Sequence, residues 1–315
     1  MSTKVSLLII VLFLIQSAVW AQEKKIQVVS ERNDDKSMSF NCIKNVSGTY
    51  YIELWFTNIE NAHSSGFHGN VSVSNRNLLR LKPTNNSRPI NCRYKYWYIR
   101  GELQPEFDPE FTYLLPLSVE KTYKVRSLTN LGNQYFGSKK PKNWHAYQFM
   151  ANPGDTVFAA RKGKVVKIDD GNNYLTDFSV SYQSSKNNII IEHPDGTLAD
   201  YTGFTKGDIW VEEGQTVYPH TPLGLLGKYD IETAQLRFSV YYLNDIPRTK
   251  DKPRTLKEKF QYYAFIEPWF FTESGVQPLV PDEYYETVLD EKIITAEFSK
   301  KELRQLKKGE ISLLK

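Results

Sequence analysis

The side chains able to do chemistry are few and scattered. Five histidines, His63, His68, His145, His193 and His220, are spread over 315 residues, and no two stand four apart as a helical metal site requires. No Ser-His-Asp or Cys-His grouping can be assembled from the order of residues, and the glycine patterns of phosphate- and dinucleotide-binding loops are absent. His193 falls in the turn His193-Pro194-Asp195-Gly196, and His220 falls in Pro219-His220-Thr221-Pro222. Histidines so placed read as satisfied surface groups rather than ligands. The two cysteines, Cys42 and Cys92, are too few to close a zinc site by themselves. In an oxidising compartment a disulfide between them is expected, with two buried free thiols as the alternative.

The compartment is suggested by the first residues. Lys4 precedes an apolar run from Val5 to Ile15, which is too short to cross a bilayer. Val19 and Ala21 stand at the spacing of a small-x-small cleavage site, so Met1 to Ala21 reads as a secretory signal peptide with Gln22 as the new N-terminus. A retained membrane anchor is the competing reading, and no cysteine follows the run to take a lipid. No later segment approaches spanning length, so no transmembrane helix is expected in the mature chain. The formal charge of +4 falls to +3 when Lys4 leaves, and charges of both signs are mixed along the chain. No nucleic-acid footprint is visible.

The elements that must position any site are strands. From Ile26 to about Arg126, runs such as Tyr50 to Phe56 and Tyr94 to Tyr98 alternate with period two and are broken by polar turns. This predicts an antiparallel β-sandwich over residues 22–126. Residues 127–143, with Gly132, Gly137 and Pro141, read as a linker. A second β-domain is expected over 144–247, followed by a C-terminal extension over 248–315. The Ser299-x-x-Glu302 pattern, with Leu303 and Leu306 on one face, predicts a short helix packed on the protein.

Within the second domain, Gly154 to Ala160 with Gly163 to Val166, Ile190 to Gly196, and Val211 to Val217 resemble the core hairpins of the lysostaphin and LytM-type murein endopeptidases, the duplicated hybrid motif fold. The match runs in the family's order from Gln148 to Tyr242. The resemblance implies an antiparallel sheet with an open groove. It also implies a zinc held by the His and Asp of H-x-x-x-D and by the second His of H-x-H. Three such ligands leave one position for a water whose pKa the metal lowers. The tail segments Phe265 to Pro268 and Ile293 to Leu306 are similar to tails on such proteins from Bacteroidetes-type bacteria.

Carried over one position at a time, the family's chemistry is lost. Its Asp falls on Gln148 and its first ligand His on Trp144, with His145 one residue away. H-x-H becomes Gln235-Leu236-Arg237, and the His after the Tyr becomes Gly203 in Tyr201-Thr202-Gly203. A guanidinium stays protonated and repels a divalent cation at a ligand position. Amides are poor zinc ligands beside the imidazole and carboxylate they replace. No tightly bound zinc and no other cofactor are therefore expected.

The reading that follows is an exported envelope protein with a degenerate peptidase-like domain, located in the periplasm or secreted beyond it. It would bind peptidoglycan, or bind and regulate a wall-remodelling enzyme. Trp144, His145, Tyr147, Gln148, Tyr201, Gln235 and Arg237 are the expected groove residues; Arg237 either pairs a peptide carboxylate or fills the old metal space by pairing with an internal acid. Two alternatives stand beside it. One is a working zinc endopeptidase using His145 and unrecognised ligands; the other is an adhesive or structural role for the first domain.

Overall fold

The computed structural model describes residues 25–128, 141–172, 187–228, 232–246 and 256–311. The expected signal peptide and most of the expected linker lie outside the described residues.

The first domain comprises β1 (Ile26–Arg32), β2 (Met38–Lys44), β3 (Tyr50–Glu60), β4 (Phe67–Val71), β5 (Arg76–Leu81) and β6 (Asn91–Arg100). They form two antiparallel sheets, ordered β1-β2-β5 and β4-β3-β6. In β2 every second residue is buried, as the period-two geometry of a half-buried strand demands. The two inner faces meet in one core that includes Phe40, Ile52, Leu54 and Val71. There the Phe40 ring meets Phe56 and Tyr94 edge-on at 5.3 and 5.1 Å.

The expected disulfide is absent: Cys42 and Cys92 are both free thiols. Cys42 lies on β2 and Cys92 on β6, in opposite sheets of the sandwich. Cys92 Sγ stands 3.5 Å from Met38 Sδ. Four residues of strand, about 13 Å, separate Met38 from Cys42, far beyond the reach of a bridge.

The second domain is built on β7 (Thr112–Leu114), β8 (Thr122–Ser127), β9 (Tyr147–Ala151), β10 (Thr156–Phe158), β11 (Gly163–Asp169), β12 (Asn188–Glu192), β13 (Leu198–Thr202), β14 (Phe204–Ile209), β15 (Thr216–Val217), β16 (Pro222–Leu226) and β17 (Ala234–Leu243). After α1 (Leu256–Phe260) come β18 (Tyr263–Ile266), β19 (Trp269–Thr272), β20 (Gly275–Gln277) and β21 (Tyr284–Glu286), then α2 (Glu291–Thr295) and α3 (Lys300–Lys307). Among the described residues the large sheet runs β15-β11-β12-β13-β17-β9-β8-β21, with β18 joined to the far half of β17. Two small sheets, β10-β16-β14 and β20-β19-β7, accompany it.

Strand pairing redraws the borders drawn from sequence. β8 pairs with β9 and β21, and β7 pairs in parallel with β19. Tyr113, Leu115, Leu117, Tyr123 and Val125 enter the second domain's core. The end of the expected first domain and much of the C-terminal extension are thus woven into the second. Ridges of apolar residues that cannot be buried locally find their partners across more than half the chain.

β17 fixes what each face of the large sheet does. Ala234, Leu236, Phe238 and Val240 point into the main core with Tyr147, Phe149 and Tyr201. On the opposite face Gln235, Arg237 and Ser239 are half-buried, and farther along Tyr241 and Leu243 are buried in a second cluster. That cluster also takes Tyr51 and Ile99 from the sandwich. The sandwich therefore covers one end of this face and leaves the polar end of β17 outside the cluster.

Candidate functional site

The polar end of that face is where three of the carried-over positions meet. Gln148 on β9 stands directly opposite Arg237 on β17, and Arg237 stands opposite Thr202 on β13. Directly opposed residues of antiparallel strands share a face, so the three side chains form one row. Gln235, two residues before Arg237, joins them: Gln148 Nε2 donates a hydrogen bond to Gln235 Oε1. On the β12 side, Asn188 Nδ2 donates to Asp200 Oδ1 at 3.0 Å and Thr202 Oγ1 donates to the same oxygen at 2.9 Å. The result is a stripe of amides and hydroxyls with the carboxylate of Asp200 and the guanidinium of Arg237, continued on β8 by Arg126, which stands directly opposite Gln148.

The other expected groove residues lie elsewhere. Tyr147 and Tyr201 are fully buried in the main core, because neighbouring residues of a strand face opposite ways and Gln148 and Thr202 take the groove side. Tyr147 Oη donates toward Glu267 Oε1 at 3.3 Å and accepts from the Leu279 N–H at 3.2 Å. Tyr201 Oη accepts from the Ala160 N–H at 2.9 Å. Burial pushes both phenols far above their ordinary range, reinforced at Tyr147 by the Glu267 charge and opposed at Tyr201 by the Ala160 N–H. Trp144 is buried in the second cluster, its indole N–H donating to Leu128 O at 3.3 Å and its ring 4.6 Å from Phe265. His145 packs edge-on against Tyr147 at 4.5 Å, on the core side of the strand, and Nε2 is buried with no hydrogen-bond partner among the described residues. Burial lowers its pKa, with Glu267 opposing.

Gly203 is held by geometry. Its φ is 135°, and a Cβ there would stand 2.3 Å from Gln235 O. The chain passes too close to β17 for any side chain, histidine included.

The stripe was tested against a zinc ion through its donors. Gln148 and Gln235 satisfy each other, and Arg237 carries a fixed positive charge. Among the described residues no group of three or more His, Cys, Asp or Glu side chains is arranged to hold a metal. The residues present do not fit the ion that the resemblance implies. What they fit is hydrogen bonding to a peptide-like or carboxylate-bearing ligand.

A second constellation escaped the sequence. Arg161, only 3% exposed, pairs with Asp195 Oδ2 at 2.8 Å and with both oxygens of Glu297 at 2.7 and 3.0 Å. It donates to Tyr113 Oη at 3.0 Å and lies 3.6 Å over the Phe111 ring. Beside it His193 Nδ1 donates to Lys162 O at 2.8 Å, while Nε2 is buried without a hydrogen-bond partner. Burial, reinforced by the Arg161 charge, pushes the His193 pKa down to about 3, so the ring is neutral. No local pattern announces this hub, since Glu297 lies 136 residues from Arg161. At the seam with the sandwich, Glu192 accepts from the Thr49 N–H and hydroxyl, both at 2.7 Å. A cavity of about 280 Å³ opens there between Thr49, Lys162, Lys164, Glu192, His193 and Thr216.

Comparison with known proteins places this domain. No curated protein matches the chain. Residues 142–249 match Peptidase family M23. Among solved structures, the chain is similar to Csd3 of Helicobacter pylori, with 10% identity, 91% of this chain and 77% of that one covered, and a TM-score of 0.30. It is also similar to a peptidase M23 structure from Pseudomonas aeruginosa, with 12% identity, 68% and 87% covered, and a TM-score of 0.30. A zinc containing peptidase from Vibrio cholerae follows, with 13% identity, 69% and 75% covered, and a TM-score of 0.24. Superpositions at that level add no argument; the assignment rests on the matched segment, which spans the stripe from Gln148 to Arg237. The chain carries, over residues 142–249, a domain of peptidase family M23.

Proposed function

We propose that this is an exported cell-envelope protein, acting in the periplasm, whose M23 domain is a non-catalytic module that binds murein or regulates a partner wall enzyme. One observation carries the reading. Three positions that the family's chemistry needs are occupied by Gln148, Gln235 and Arg237, side by side on one face, with the two amides bonded to each other. Such a row neither ligates a divalent cation nor activates water, but it offers donors and acceptors to a peptide stem. Arg237 supplies the fork that pairs a carboxylate in two parallel hydrogen bonds. Among the described residues no helix is long and apolar enough to cross a membrane, which is compatible with export.

The test is zinc content by elemental analysis together with murein hydrolysis, on the chain from Gln22 onward. Metal-free, inactive protein that pellets with sacculi, and pellets less well after Arg237→Glu, supports the reading. Stoichiometric zinc accompanied by cleavage would defeat it.

A further inference from the structure

The C-terminal helix has a feature that the M23 site does not use. α3 buries none of its side chains. It is moored from one side. Glu302 takes Lys162 Nζ at 2.7 Å and the Tyr218 hydroxyl at 3.2 Å, and the Phe298 ring lies 4.8 Å from Tyr218. The capping box between Ser299 and Glu302 fixes the first turn. These bonds turn the helix's one acidic side chain toward the protein and neutralise it.

The helical period then decides what faces out. Glu302, Gln305 and Leu306 are half-buried on the protein side, while Lys300, Lys301, Leu303, Arg304, Lys307 and Lys308 are exposed. Beyond them Glu310 stands 3.8 Å from Lys308. Five cations against that one acid leave a local excess of four, equal to the formal net charge of +4 of the whole chain. Five of the chain's 40 Lys and Arg residues thus share one exposed face at this helix. Leu303, 37% exposed, lies at the edge of this face next to Lys307.

The geometry points to α3 as a peripheral docking surface for an anionic lipid bilayer. Each Lys or Arg brought to such a surface strengthens binding by roughly fivefold, so three or more give useful affinity. Leu303 selects the bilayer over a soluble polyanion. A headgroup layer gives an apolar side chain a place to enter while the lysine stems snorkel around it, whereas a hydrated polymer leaves it in water.

The experiment uses the chain from Gln22 onward, so that the apolar run Val5 to Ile15 contributes nothing. Co-sedimentation with vesicles of phosphatidylglycerol and phosphatidylcholine is compared with phosphatidylcholine alone. Binding only to the anionic vesicles, weakening as salt is raised, is expected. K300Q/R304Q/K307Q should weaken it by about a hundredfold, and L303S by roughly fivefold. K82Q/R88Q/R93Q, which removes the same charge from the exposed surface of the sandwich, should leave it unchanged. Thermal unfolding confirms that each variant is folded. Equal pelleting with neutral vesicles, no pelleting at all, or a helix variant that binds like the parent overturns the proposal. So does binding to murein sacculi without binding to vesicles.

Discussion

Arg161 and Arg237 of the M23 domain stand in opposite circumstances. Arg237 lies half-buried in a stripe of neutral amides and hydroxyls, where the family's ligand positions meet. Arg161 is sealed in the core, paired with Asp195 and Glu297, bonded to Tyr113 and stacked on Phe111. At the first place the side chain lies at the edge of the sheet's polar face, where water still reaches it. At the second, three ionised groups have been taken out of water together, and each depends on the others. The comparison sets a charge that the fold requires beside one that a ligand could use: Arg161 ties the C-terminal segment to the domain through Glu297, while Arg237 lies on the polar face of the sheet.

The sharpest break of that comparison is Arg161→Met. It strands two partly buried carboxylates beside a buried cavity and is expected to cost about 3 kcal/mol by denaturant unfolding, with Arg237→Met costing under about 1 kcal/mol. Equal costs would show that the groove arginine is also a structural one.

Next in size is the pH dependence that His193 imposes. Its folded pKa, about 3, lies below the ordinary value of 6.5, so the unfolded chain takes up the proton first. Stability is therefore full above 6.5 and is lost as pH falls from there toward 3. A loss on the order of 2–3 kcal/mol by about pH 4 is expected from this group. His193→Asn keeps a donor for Lys162 O and removes the titration, and should flatten the thermal midpoint against pH below about 6.5. An unchanged slope would mean that other groups set the acid limit.

Gly203→Ala tests the pinch beside the stripe. A methyl group would meet Gln235 O at 2.3 Å with φ in the left-handed region, and about 1–3 kcal/mol of stability should go. A neutral outcome would show that β13 and β17 can part, and that a side chain could return to this position.

Much of this arrangement was legible from residue order because it is local. The alternation of Leu236 to Leu243 became β17, and the His193-Pro194-Asp195-Gly196 turn closes with His193 N–H to Thr197 O at 2.8 Å. Ser299 and Glu302 cap α3 reciprocally, as their spacing required. That Gln148, Gln235 and Arg237 would share one face followed from the period-two alternation of their strands. What stayed hidden depends on distant partners. Nothing near Thr112 announces that it will run beside Trp269, and nothing near Arg161 announces Glu297. Side-chain direction was the other blind spot: one step along β9 or β13 exchanges groove for core, which is why Tyr147 and Tyr201 belong to the core.

The smallest expected effect falls on the stripe itself. Gln148→Leu removes the donor to Gln235 Oε1, and because both amides are only half-buried, water can replace the lost bond. A cost of about 1 kcal/mol or less follows. If the stripe serves a ligand, the same change should weaken pelleting with sacculi far more than it shifts the unfolding midpoint. A region kept for packing would show the reverse, with stability and binding falling together as they should at Arg161. The ratio of the two losses, measured on Gln148→Leu and Arg161→Met side by side, therefore decides whether the stripe serves a ligand or the packing of the sheet.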